Sequence, residues 1–267
     1  MKQLSEKTVK IYDIQGKETG QITLPRIFSV DIRPDIIRKV VVALQSHSLQ
    51  PKGRDPMAGK RTTAASFGVG RALSRVPRVG GERHPRAGTA AFAPNTVKGR
   101  ITHPPSVGKT LGKRINRKER LAALYSAIAA TGSKDLVERR GHVVDEVQGF
   151  PLVVSDQVQD ISRTNEVRNL LTKLGVRKDL ERARNREKSR SGKSRMRGRA
   201  KRFGVGPLLV VGEDKGIGKA ARNLVGVDVV EAKNLNVRLL APGTDPGRLT
   251  VWSESALKVI DQSYSRG

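Results

Sequence analysis

The chain of 267 residues carries 52 Lys and Arg against 25 Asp and Glu, a formal charge of +27. It contains no Cys, which excludes disulfides, thiolate zinc sites, iron–sulfur clusters and cysteine nucleophiles and makes a reducing compartment the default. Its apolar runs, such as Val40 to Leu44 and Pro207 to Val211, fall far short of the roughly 18 residues that span a bilayer, and Met1 to Lys7 lacks the apolar core of a secretory leader.

Val9 to Ile14 alternates as a half-buried strand, and Pro34 opens a helix whose face is Ile36, Ile37, Val40, Val41 and Leu44. From Pro51 to Gly112 neither the helical nor the strand period appears. Asn116 reads as the N-cap of a helix bearing Leu121, Leu124, Tyr125, Ile128 and Ala129, closed by Gly132. Pro151 to Ser155 reads as a short buried strand, and Val167, Leu170, Leu171 and Leu174 as one helix face stopped by Gly175. Helix formers fill Asp179 to Lys188. Then follow a strand at Leu208 to Val211, a short helix after Gly218, strands at Val227 to Val230 and Val237 to Leu240, and a last helix from Ser253 with Leu257 and Ile260. Strands separated by single helices predict an α/β fold, a single layered domain with a mainly parallel or mixed sheet and helices, plus a long basic Gly/Pro-rich loop extension. The expected organisation is a globular domain from 1–50 and 113–267, an extended loop at 51–112 inserted in it, and a second basic segment at 186–202.

The charge is unevenly spread. Pro51 to Lys118 has 16 Lys and Arg against Asp55 and Glu82, a net of +14, with 10 of the 27 Gly and 7 of the 13 Pro. Arg186 to Arg202 has nine against Glu187, a net of +8, so the other 182 residues carry only +5. A polyanion relieves such self-repulsion, and nucleic acid leads an anionic membrane as its source. A loop without structure of its own at 51–112 is expected to order on a partner. Its cations neutralise phosphates, its Gly and Pro thread narrow space, and Phe67, Val69, Leu73, Val76, Val79, Phe92, Val97 and Ile101 point to specific docking. Ser189 to Arg199 reads plainly as a solvated charge run or a localisation patch; small residues alternating with Arg favour direct RNA contact.

Gly216, Gly218 and Ala221 after the Leu208 to Val211 strand imitate a dinucleotide loop, but Glu213 and Asp214 stand where a pyrophosphate approaches and the next strand follows too soon. A mononucleotide loop fails on spacing, with Ala220 in place of the Ser or Thr that holds magnesium. A plain strand–turn–helix is the expectation. His47, His84, His103 and His142 are isolated from other ligands in sequence, with RNA contact the better reading for His84 and His103. No carboxylate pair recurs at a spacing suited to acid–base catalysis, so no catalytic residue is nominated.

Ser66 to Arg71, Val76-Pro77-Arg78, Gly81-Glu82-Arg83, Val97 to Arg100, His103-Pro104-Pro105, Lys193 to Arg199, Asn234 to Gly243 and Gly247 to Leu257 around Trp252 together resemble the fourth large-subunit ribosomal protein family in its archaeal and eukaryotic branch, from about Val9 to the end. The resemblance implies a non-enzymatic, cytoplasmic constituent of the large ribosomal subunit that binds large-subunit rRNA and aids its assembly, with no cofactor, metal, membrane or small-molecule substrate. It implies that the loop penetrates the RNA, with a tip near Arg71 to Arg86 lining the nascent-peptide exit tunnel beside ribosomal protein twenty-two. On this sequence the tip residues are Arg75, Val76, Arg78, Arg83 and His84. RNA contacts fall to Lys52, Arg54, Lys60, Arg61, Arg71, Arg86, Lys98, Arg100, His103, Lys109, Lys113, Arg114 and Arg117, and in the second segment to Lys193, Arg195, Arg197, Arg199, Lys201 and Arg202.

Two rivals predict different residues. A free-standing RNA-binding protein or nuclease with a basic substrate-guiding loop calls for clustered carboxylates near the loop's root. A protein of anionic membranes calls for a basic amphipathic helix with an aromatic edge, whereas the basic windows here are rich in Gly and Pro.

Overall fold

The computed structural model describes residues 7–265; Met1 to Glu6, on which the leader reading mostly falls, lie outside the described residues. In chain order the elements are β1 (Thr8–Tyr12), β2 (Glu18–Thr23), α1 (Pro34–His47), β3 (Ala64–Ala65), β4 (Arg78–Val79), α2 (Arg117–Thr131), α3 (Lys134–Arg139), β5 (Leu152–Val154), α4 (Thr164–Lys173) and α5 (Arg177–Asn185). There follow β6 (Lys188–Ser189), α6 (Gly192–Met196), β7 (Lys201–Arg202), β8 (Leu208–Val211), α7 (Ile217–Ala221), β9 (Asp228–Glu231), α8 (Val237–Leu240), β10 (Thr250–Ser253) and α9 (Glu254–Ser265). The described residues divide into two compact units, His47–Gly112 and the remainder.

The larger unit is α/β. Its sheet runs β2-β1-β5-β10-β8-β9, parallel throughout except for β2, which pairs antiparallel with β1 at one edge. β10, late in the chain, inserts between β5 and β8, with Val251 opposite both Leu152 and Leu209. Helices cover both faces, so the central strands are apolar on both sides instead of alternating. Leu152, Val154, Leu209, Val211 and Val251 pack on Val167, Leu170 and Leu171 of α4, on Leu174 just after it, and on Ile217, Ala220 and Ala221 of α7. Val153, Leu208, Val210 and Trp252 pack on α1, α2, α8 and α9. The Trp252 ring, fully buried, meets Phe28 edge-on at 5.7 Å and 83°.

The helix readings around α1, α2, α4 and α9 agree with their placement, and Gly175 ends α4 at φ +79 where a Cβ would lie 2.1 Å from the Glu146 carbonyl oxygen. Val237–Leu240 is a correction: it is α8, not a strand. Asn236 accepts the Arg238 N–H at 3.4 Å, and Val237, Leu240 and Ala241 reach the core at helical spacing. Unread in the larger sheet and its cover were β2, whose residues are polar or Gly apart from Ile22, the short α3, and β10, whose four buried residues show no period. Unread too were the two-residue strands β3, β4, β6 and β7 and the short α6, so 51–112, expected to lack structure of its own, carries a ladder.

The smaller unit holds a β3–β4 ladder, Ala64 opposite Val79 and Ala65 opposite Arg78, with Ala90 bridging Arg78 on the other side. The Val79 N–H donates to Thr89 at 3.0 Å and the Ala91 N–H to Pro77 at 2.8 Å, with Val79 and Ala91 buried. Outgoing and returning chain touch at glycines: a Cβ on Gly59 would stand 2.5 Å from the backbone of Gly99, and one on Gly53 2.5 Å from Val107.

Candidate nucleic-acid interface

In the smaller unit Lys52, Lys60, Arg61, Arg71, Arg75, Arg83, His84, Lys98, His103 and Lys109 are exposed, while Arg54, Val76, Arg78, Arg86 and Arg100 are partly buried. Arg54, Lys60 and Arg100, from both arms, line one small recess with Asp55. Two arginines have partners of their own: Arg61 pairs with Asp55, and Arg71 stacks 5.5 Å above the Phe67 ring. Arg78 acts as an internal brace. Its guanidinium donates to the Gly88 carbonyl and the Ser74 hydroxyl, both at 2.9 Å, which closes the Gly80 to Ala87 turn. Glu82, Arg83 and His84 stand exposed on that turn, where the His84 Nδ1 accepts the Arg86 N–H at 3.1 Å.

Lys113, Arg114 and Arg117 lead into α2 in the larger unit, all exposed. Cations at the positive end of a helix cost a few tenths of a kcal/mol each, roughly, without an anion nearby. The second basic segment is a hairpin: β6 pairs antiparallel with β7, Lys188 opposite Arg202, and α6 closes it. Lys193, Arg195, Arg197, Arg199, Lys201 and Arg202 are exposed there, with Lys201 held by Glu187 at 2.6 Å.

Three titratable groups that sequence spacing missed, Asp179, His142 and Arg248, sit inside the larger unit. Asp179, fully buried on α5, accepts from the Val143 N–H at 3.1 Å and from Arg182 Nε at 2.8 Å. It also accepts from His142 Nδ1 at 3.0 Å, so His142, isolated in sequence, is paired across space. Burial pushes the Asp179 carboxyl up, but His142 and Arg182 outweigh it and hold it below its ordinary value. Burial holds the His142 imidazole below 6.5 despite Asp179. Arg248, 1% exposed, donates to Gly206, Leu239 and Gly226 carbonyls at 2.9, 3.0 and 3.3 Å and pairs with Asp228 at 2.6 Å, tying the starts of β8 and β9 to the end of α8. Local spacing shows only the Asp179–Arg182 step on α5; the partners that complete these groups, His142 for Asp179 and Asp228, Gly226 and Gly206 for Arg248, lie 20 to 42 residues away.

The carboxyl ends of the parallel strands are where open α/β sheets take ligands. Here the chain supplies its own anions. Asp156 Oδ1, following β5, accepts the Ser255 N–H at 2.9 Å at the start of α9, the Ser255 hydroxyl at 2.6 Å and Gln159 at 3.0 Å. Asp214 Oδ1 accepts the N–H groups of Gly216 and Gly218, each at 3.0 Å, and a Cβ on Gly218 would lie 2.3 Å from the same carboxylate. The Gly-x-Gly-x-x-Ala stretch is a strand–turn–helix wrapped around a side chain. Among the described residues no group of three or more His, Asp or Glu is placed to hold a metal, and no helix is long and apolar enough to cross a membrane.

Residues 22–263 match the Ribosomal protein L4/L1 family. The chain is 46% identical over 258 residues to the large ribosomal subunit protein uL4 of Methanosphaera stadtmanae, covering 97% of this chain and 98% of the relative. It is 47% identical over 265 residues to the protein of the same name from Saccharolobus islandicus strain L.S.2.15, covering 99% and 97%. With a family match over nearly its whole length and full-length archaeal relatives, the chain belongs to the ribosomal protein L4/L1 family, in its archaeal branch.

Proposed function

We propose that this chain is a cytoplasmic structural constituent of the large ribosomal subunit that binds large-subunit rRNA and aids its assembly. In this reading 51–112 is an RNA-penetrating extension inserted in a globular part formed by 1–50 and 113–267, and 186–202 is a second RNA-binding segment. Arg75, Arg83 and His84 stand at the tip that lines the nascent-peptide exit tunnel, beside ribosomal protein twenty-two, with Val76 and Arg78 shaping it. Lys52, Lys60, Lys98, Lys109 and Lys193 to Arg202 contact phosphates. The observation that carries the reading is the separation of charge from core: the basic residues of both segments are mostly exposed, while the two hydrophobic cores draw on neither segment. Such a surface binds RNA through counterion release and reads its shape more than a base code.

The test is binding of large-subunit rRNA across a salt series, with the whole protein and with a variant lacking residues 60–98. That stretch removes eight Lys and Arg, three of them already engaged within the unit, so the plot of log affinity against log salt becomes shallower by roughly 4 to 6. Equal affinity of both forms for rRNA and unrelated RNA at every salt concentration overturns the reading. In assembled subunits a photoreactive group at Arg83 crosslinks to a nascent peptide; crosslinks to RNA alone remove the tunnel part.

A further inference from the structure

Beside the basic hairpin, α3, α5 and the β7–β8 connection enclose a cleft of about 420 Å³, within the size range of small-ligand sites. Arg140, Arg182, Arg186, Lys188 and Arg202 line it, with the Phe203 ring at its wall. We propose that this cleft receives one unpaired nucleotide of the bound RNA, its phosphate held among the guanidinium groups and its base stacked on Phe203.

The floor is rigid. Arg182 is only 14% exposed and is fixed from two sides, by Asp179 and by the Val205 carbonyl at 2.6 Å, while Asp179 is itself pinned by His142. Arg140 donates to the Pro242 carbonyl at 2.6 Å and to that of Asp245. Carbonyls orient a guanidinium without neutralising it, and among the described residues Asp179 is the carboxylate bonded to these cations, with Asp245 acting on Arg140 through its charge, so positive charge faces the cleft in excess. Burial, with the charges of Arg248 and Arg182, pushes Arg140 down to about 10, still ionised at neutral pH. Such crowding favours a bound anion.

The aromatic selects a nucleotide over a bare anion. Phe203 is 48% exposed in a chain with only nine aromatic residues, and it cannot withdraw into the core. Gly204 beside it lies so close to α5 that a Cβ there would stand 2.9 Å from the Ala183 Cα. A ring beside a phosphate-sized cluster of donors suits a base and its own phosphate. A concave cleft admits an extruded nucleotide, whereas duplex RNA presents its phosphates on a convex surface.

The inference rests on the RNA-binding reading above and is tested on the full chain with large-subunit rRNA. Ultraviolet irradiation of the complex leaves a nucleotide adduct on Phe203, found by mass spectrometry. Phe203→Ala weakens binding about ten-fold with the salt slope unchanged, because stacking releases no counterions, and Phe203→Tyr restores it. Lys188→Gln with Arg202→Gln lowers the slope by roughly 1 to 2. If Phe203→Ala binds as tightly as the parent and no adduct forms on Phe203 while rRNA binding persists, the cleft proposal falls and the RNA-binding reading stands. Competition for Phe203 by poly-glutamate at rRNA-free ionic strength, without competition by oligouridylate, also overturns it in favour of an acidic peptide. Loss of rRNA preference in the parent itself overturns the earlier reading.

Discussion

His142 is a neutral group held inside the protein. Burial keeps its imidazole below 6.5, the value it regains on unfolding, so the unfolded chain binds the proton more readily than the folded one. The stability due to this difference is fully present above about pH 6.5 and is lost as pH falls below that value through the folded pKa. Asp179 adds a second loss lower down, below its ordinary 3.8, since His142 and Arg182 hold its carboxyl depressed against burial. His142→Asn keeps an N–H donor near the Asp179 carboxylate and removes the titration. The urea midpoint of the parent therefore falls further between about pH 7.5 and pH 5 than that of the variant. Equal falls in the two proteins would show that His142 is not the titrating group. Arg248 differs, because its charge is matched by Asp228 and three carbonyls, so it serves as a permanent tie and not as a titrating group.

α9 begins where two chain segments meet. Ser253 accepts the Ala256 N–H at 3.2 Å, as a local N-cap does, and Asp156, 99 residues earlier, accepts the Ser255 N–H. Asp156→Ala removes the acceptor of the Ser255 N–H, while the Ser255 hydroxyl keeps Ser253 at 3.1 Å and Gln159 keeps Ser255 at 2.6 Å, and it costs about 1 kcal/mol in chemical unfolding. Asp156→Asn, whose amide oxygen still accepts, recovers part of the loss; an alanine variant as stable as the parent would mean that water replaces the carboxylate at no cost. The same helix shows what a sequence can reveal. Its start was legible from Ser253 and its face from Leu257 and Ile260, as α4 was from Val167 to Leu174, because a helix repeats its burial every turn. β10, the four residues immediately before α9, was not legible, since a strand buried on both faces has no period. Val237 to Leu240, only four residues long, fits either pattern until its neighbours are known. The basic hairpin at 186–202 was visible as composition, although its ladder was not. The cleft was invisible, because Arg140, Arg182 and Phe203 come from three separated segments and signal nothing by spacing.

At the scale of the molecule, charge and core are carried by different stretches of chain. Every residue of the two hydrophobic cores lies outside His47–Gly112, whose own buried apolar residues are Val79 and Ala91. The break is nearly closed within the larger unit: the Lys113 N–H donates to the Ser46 hydroxyl at 2.9 Å, so the chain ends flanking the insertion already meet. Replacing His47–Gly112 by Gly-Gly therefore spans a short gap and removes no core contact. Twelve Lys and Arg leave with only Asp55 and Glu82, which lowers self-repulsion. The shortened chain is expected to unfold in a single cooperative transition with a midpoint within about 5 °C of the parent, as ~1 kcal/mol moves a domain of this size by roughly 2–4 °C. The difference shifts in favour of the shortened chain at low salt, where repulsion is least screened. Thermal melts followed by circular dichroism at low and high salt check both statements. Loss of the cooperative transition would mean that the insertion supplies folding energy to the α/β unit, and the division between a folding part and a charge-bearing part would have to be abandoned.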